Sequence, residues 1–112
     1  MEIFSPLVGV TFRGAEAKEI VKSLTPDDGN QLFLEAEPDN DYDSHAVKVI
    51  HQPTHVHLGY LARENNYAVF VALERDEKLN IKIIGFENTI KPILLISDDN
   101  FQEPPRVWIT GE

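Results

Sequence analysis

There is no cysteine in this 112-residue chain, which excludes disulfides, thiolate zinc sites and cysteine nucleophiles and leaves packing as the source of stability. No apolar run approaches the roughly 20 residues that a membrane-spanning helix needs. The opening residues, Met1-Glu2-Ile3-Phe4-Ser5-Pro6, have neither the basic region nor the long apolar region of a signal peptide, so a cytoplasmic protein is expected. Internal repeats and Gly/Ser linkers are also missing, and the length suits a single domain. Residues 1–97 read as that domain, and 98–112 as a C-terminal arm, extended or partly disordered, in which Val107-Trp108-Ile109 is the part expected to dock. Basic residues are scarce: 10 Lys and Arg stand against 19 Asp and Glu, a net charge of −9, which removes long-range attraction to phosphate. Catalytic signatures are lacking too. The chain has no Gly-rich phosphate loop, no HExxH and no GxSxG, and nothing pairs a histidine with Ser5, Ser23, Ser44 or Ser97. No enzymatic activity, cofactor or metal is expected.

What is present is an ordinary globular composition, 42% hydrophobic and 26% charged, with segments that alternate between strand and helix signals. Leu7 to Arg13 is rich in β-branched and aromatic residues and closes on Gly14, the pattern of a strand. Ala17, Ile20, Val21 and Leu24 fall at helical spacing before Pro26 and the turn cluster Asp27-Asp28-Gly29-Asn30. Gln31 to Glu37 reads as a second strand. Ala46–Ile50 and Val56–Leu61 form a hairpin over Gln52-Pro53-Thr54. From Ala62 to about Glu77 there is no Gly or Pro and the apolar arc is wide, predicting the main helix. Leu79–Phe86 and Ile90–Ile96 are two more strands around Glu87-Asn88-Thr89. The order βαβββαββ predicts an α+β, mainly β domain: six antiparallel strands in an OB-like barrel with two helices.

Three blocks carry a resemblance. Leu7-Val8-Gly9-Val10-Thr11-Phe12-Arg13-Gly14, then Glu37-Pro38-Asp39-Asn40-Asp41-Tyr42-Asp43-Ser44-His45-Ala46-Val47-Lys48-Val49, then Leu58-Gly59-Tyr60-Leu61 together resemble the HIRAN domain, in order and spacing, over roughly residues 7 to 97. The resemblance implies a binding module for the free 3′ end of single-stranded DNA, accessory to DNA replication, repair or processing. It implies that Phe12 and Tyr42 sandwich the terminal base and that Asp43 accepts a hydrogen bond from the 3′-hydroxyl. Asn40, Lys48, Tyr60 and Arg63 fall where the family places polar or basic residues near the DNA backbone. The chemistry is sound on its own terms. Two aromatic faces are worth ~1–3 kcal/mol per stacked base, and a carboxylate accepts from a hydroxyl but repels a phosphate. Two positions depart from the family pattern: Asp41 replaces a usual proline, and Thr11 stands where DNA-gripping members carry a basic residue. Arg13, on the same strand face as Thr11, could compensate only by curling around the rim.

Plainer roles stand beside these. Phe12 and Tyr42 serve equally as core or loop-anchoring aromatics, and Asn40 and Asp43 as Asx-turn acceptors that organise their own loop. Lys48 and Arg63 are individually ordinary surface bases. His55 and His57, on one strand face, and His51 across the hairpin have a spacing at which imidazoles can bind zinc, yet no fourth ligand follows a metal motif. Acids crowd the stretch from Asp27 to Asp43, at Asp27, Asp28, Glu35, Glu37, Asp39, Asp41 and Asp43, with no Lys or Arg among them. They make a solvated edge or an acidic docking face. The rival function is therefore a protein-interaction module that uses this face and does not bind DNA, and an accessory nuclease or phosphatase activity is a third.

Overall fold

In the computed structural model, residues 1–88 and 90–98 are described. Six strands, β1 (Glu2–Val8), β2 (Leu32–Glu37), β3 (Ala46–His51), β4 (Val56–Leu61), β5 (Leu79–Glu87) and β6 (Lys91–Asp98), form one antiparallel sheet in the order β2-β3-β4-β1-β6-β5. Two α-helices, α1 (Ala15–Ser23) and α2 (Tyr67–Glu74), and three short 3-10 turns complete the described residues. The sheet curls into a half-barrel around Leu7, Val47, Val49, Leu58, Leu61, Leu94 and Ile96, all almost fully buried. The mainly β, OB-like architecture read from the sequence is the architecture found.

The gap between the unpaired edge strands is bridged by a turn. Between α1 and β2 the chain makes a 3-10 turn, Pro26–Gln31, that packs on β5. Gly29 is the contact: a Cβ there would lie 2.5 Å from the Ile81 carbonyl oxygen and 2.9 Å from Lys82 Cα, so only glycine lets the backbones approach. Thr25 and Asp28 start the turn with a capping box, the Thr25 N–H donating to Asp28 Oδ2 at 2.8 Å.

The first strand differs from its prediction at both ends. It begins at Glu2 and stops at Val8, because Gly9 turns left-handed (φ 79°) and Val10–Phe12 coil into a 3-10 turn. Ser5 and Pro6 look like punctuation, yet β1 pairs with β6 over residues 2–6 and with β4 only at Leu7 and Val8. Pro6, which has no N–H, thus sits where one side of the strand has no ladder partner. Buried Ser5 fills the gap, its Oγ accepting the Ala62 N–H at 2.8 Å. Because Thr11, Phe12 and Arg13 are not strand residues, alternation does not set their directions.

The long helix predicted from Ala62 to Glu77 is also shorter. Ala62 is extended, Arg63–Asn65 form a 3-10 turn, and α2 begins only after Asn66. Asp98, assigned by the sequence to the arm, ends β6 opposite Leu79. The remainder of the arm, with Val107-Trp108-Ile109, and Thr89 of the last hairpin lie outside the described residues.

Candidate nucleic-acid interface

Loop 38–45 between β2 and β3 is built by its own polar side chains. Asn40 Oδ1 accepts the N–H of Tyr42 (2.8 Å) and of Asp43 (3.0 Å), the Asx geometry that offers a turn in place of a ladder. Asn40 Nδ2 donates to Glu37 Oε1 at 2.9 Å, and the Tyr60 hydroxyl donates to the same oxygen at 2.8 Å. Asp43 is gripped on both oxygens: Oδ1 accepts the His45 N–H at 2.9 Å, and Oδ2 accepts Nδ2 of the buried Asn66 at 2.8 Å. The His45 ring meets Tyr67 and Phe70 of α2 edge-on, with centroids 4.7 and 5.2 Å away. The loop is thereby pinned to the sheet at Asn40 and to the second helix at Asp43 and His45.

This framework shapes a shallow hollow of about 230 Å³, lined by Asn40, Tyr42, Asp43, Tyr60 and Arg63 over Val8, Ala46 and Leu61. Five of the eight sequence-predicted site residues thus converge from three separate segments. The other three lie outside it. Phe12 stands on the 3-10 turn that rests against Tyr60, where a Cβ on Gly9 would be 3.8 Å from the ring. It is 83% exposed, and Tyr42, which lines the hollow beside Tyr60, is 86% exposed. Neither ring is a core residue.

Arg13 leaves a turn and not a strand, and its head is taken up by a histidine of β4. Its Nη1 lies 2.7 Å from His57 Nδ1. His57 Nε2 is 2.8 Å from the Gly59 carbonyl, which can only accept, so the proton sits on Nε2 and Nδ1 receives the Arg13 bond. Burial lowers the His57 pKa, with Arg13 and Lys48 adding to the effect. The imidazole stacks edge-on to Tyr60, with centroids 4.8 Å apart. Lys48, across the ladder from Tyr60, faces Glu35 (3.9 Å) and Glu37 (4.0 Å) within the sheet.

The electrostatics favour an ionised Asp43. Partial burial pushes its pKa up, but the His45 N–H, the Asn66 amide and the nearby Arg63 charge outweigh it and hold the carboxyl below its ordinary value. Glu37 is likewise held down, chiefly by the Asn40 amide, while burial and the Glu37 bond push the Tyr60 phenol up. Two acceptor sites of Asp43 are used and two lone pairs remain, so its carboxylate can still accept a hydroxyl from the hollow.

Asn66, Glu37 and His45 were not among the DNA-contacting residues expected from the sequence, although they position those that were. A polar pair, Asn65-Asn66, before an apolar run was the available sign for the first. The hairpin histidines disperse. His51 is buried between Thr54 Oγ1 (2.8 Å) and Gln31 Oε1 (3.1 Å), His55 lies in the turn and not on the β4 face (φ 61°), and His57 serves Arg13. Among the described residues no cluster of His, Asp or Glu could hold a metal ion.

A curled half-barrel whose side opens in an aromatic-flanked, partly charged hollow defines a small OB-like binding module. The HIRAN domain family model matches residues 2–90, and the chain belongs to that family. Among solved structures it is similar to a protein from Lactobacillus plantarum, with a TM-score of 0.71 and 21% identity, covering 86% of this chain and 90% of that one. It is also similar to the HIRAN domain of human HLTF, with a TM-score of 0.63 and 17% identity, covering 87% and 74%. No curated protein sequence matches it significantly. Among the described residues no helix is long and apolar enough to cross a membrane.

Proposed function

We propose that this protein is a non-catalytic module that recognises the free 3′-hydroxyl end of single-stranded DNA, as an accessory to DNA replication, repair or processing. Family membership and the likeness to the HLTF domain support a nucleic-acid-binding module. The observation that carries the finer reading is Asp43: an ionised carboxylate fixed from both sides, in a hollow lined by the exposed Tyr42 ring, Tyr60 and Arg63. A terminal nucleotide places its base between the rings of Phe12 and Tyr42 and its 3′-hydroxyl on Asp43, whereas a continuing strand or a 3′-phosphate brings negative charge against it. With a net charge of −9, affinity is expected to be micromolar or weaker and to fall with salt.

The test is a titration with short oligonucleotides ending in a 3′-hydroxyl or a 3′-phosphate, at low and raised salt. Preference for the hydroxyl end that survives as overall affinity falls is the expected result. No binding of either at low salt would refute it and leave the acidic-face protein-interaction reading, for which the Glu35–Lys48–Glu37 cluster on β2 and β3 is the natural surface.

A further inference from the structure

We propose that the nucleotides upstream of the bound 3′ end lie in a second groove, between α1 and the β5–β6 hairpin, where lysines of α1 supply the phosphate contacts that Thr11 cannot make. This rests on the end-binding reading and extends it. The groove is open and large, about 600 Å³. Its floor is apolar, from Leu7, Val10, Val21 and Pro92, and its rim carries Lys18, Lys22 and Lys91. Three of the chain's 10 basic residues thus meet at one groove of an otherwise acidic protein.

The two charges on α1 are available. Among the described residues, Glu87 is the one carboxylate lining the groove, and it is 3.9 Å from Lys91 Nζ. Lys22 pairs with Glu19 at 3.7 Å, but both side chains are largely exposed, so solvent screens the pair and a phosphate can displace it. Lys18 has no ion-pair partner among the described residues.

The groove adjoins the hollow along the chain. Val8 lines the hollow, and the next three residues, Gly9, Val10 and Thr11, line the groove. The 3-10 turn Val10–Phe12 is therefore a ridge between the two, with exposed Phe12 upon it. A strand whose last base stacks on Phe12 passes over this ridge, and Thr11, uncharged, offers its phosphates nothing ionic there. Lys18 and Lys22 stand across the same groove. Bases on an apolar floor and phosphates on a cationic rim is the division a single strand makes when it binds without sequence preference.

The experiment compares a dinucleotide and an octanucleotide, both with free 3′-hydroxyls, across a salt series. Proteins are the wild type, the Lys18→Gln/Lys22→Gln double variant, and Lys78→Gln as a control at an exposed loop position off the groove. Thermal unfolding confirms that each is folded. The expected result is that wild type binds the octanucleotide more tightly and with a steeper salt dependence than the dinucleotide. The double variant should lose that advantage, its log–log salt slope shrinking by roughly 0.7 per lost phosphate contact, with dinucleotide binding unchanged and Lys78→Gln like wild type. Equal binding of both lengths by wild type, or a double variant with an unaltered slope, overturns the groove and leaves the end site standing. If wild type binds neither oligonucleotide, both readings fall together.

Discussion

Replacing Asp43 by asparagine separates its two jobs. The substitution keeps an oxygen for the His45 N–H, which Oδ1 now receives at 2.9 Å. On the other side it sets a new amide NH₂ against Asn66 Nδ2, the donor that Oδ2 accepts at 2.8 Å. Two donors cannot pair, so Asn66, 3% exposed, must flip its amide to present its oxygen. What is lost is then the difference between a charge-assisted and a neutral hydrogen bond, about 1 kcal/mol. For a domain of this size that is a fall in Tm of roughly 4–8 °C. Asp43→Ala, which strands the buried Asn66 donor and frees the loop, should cost about 1–3 kcal/mol. Binding should respond differently. Replacing the charged acceptor by a neutral one removes about 1 kcal/mol from the hydroxyl end, a factor of roughly five, and removes the repulsion felt by a 3′-phosphate. Denaturant titration and fluorescence anisotropy with hydroxyl- and phosphate-ended strands measure the two effects separately. If the asparagine variant keeps the wild-type preference for the hydroxyl, Asp43 is a loop organiser and nothing more.

Phe12→Ala and Tyr42→Ala remove rings that are 83% and 86% exposed, so denaturation midpoints should stay within about 0.5 kcal/mol of wild type. Each should nevertheless cost the DNA complex ~1–3 kcal/mol, and unchanged affinity would remove the clamp. Gly29→Ala drives a methyl group into the backbone of β5 at Ile81 and Lys82 and should destabilise by about 1–3 kcal/mol; a neutral result in urea titration would show that the bridging turn yields. His57 is held neutral, its pKa below the ordinary 6.5. The unfolded chain therefore takes up this proton first, and stability should fall as pH drops from 6.5 toward the lowered value. His57→Gln should flatten that slope in denaturation at stepped pH, and an equally steep variant would disprove it. Glu37 and Asp43, whose pKa values are lowered, contribute stability above the ordinary carboxylate range that is lost below it. Glu37→Gln should therefore blunt acid unfolding.

Local pattern by itself marked the strands and α1 from Ala15 onward, because the short apolar, β-branched runs in Leu32–Glu37, Ala46–His51 and Val56–Leu61 and turn chemistry at Asp27–Asn30 and Gln52–Thr54 act over a few residues. It also marked the loop that carries Tyr42 and Asp43, since the Asx bonds of Asn40 close within three residues. The tertiary structure decided what depended on distant partners. Val10-Thr11-Phe12 has strand propensity, but no strand pairs with it and left-handed Gly9 turns it aside, so propensity gave way to context. Ser5-Pro6 became strand because β6 supplied a ladder on one side and Ala62 an amide on the other. The helix from Ala62 was cut back to Tyr67, with Asn66 ahead of it committed to Asp43, 23 residues away. Arg13 found His57 44 residues distant, and Lys48 stands beside Glu35 and Glu37. Charge, reach and pairing across the sheet are properties of neighbours in space, and no periodicity along the chain encodes them.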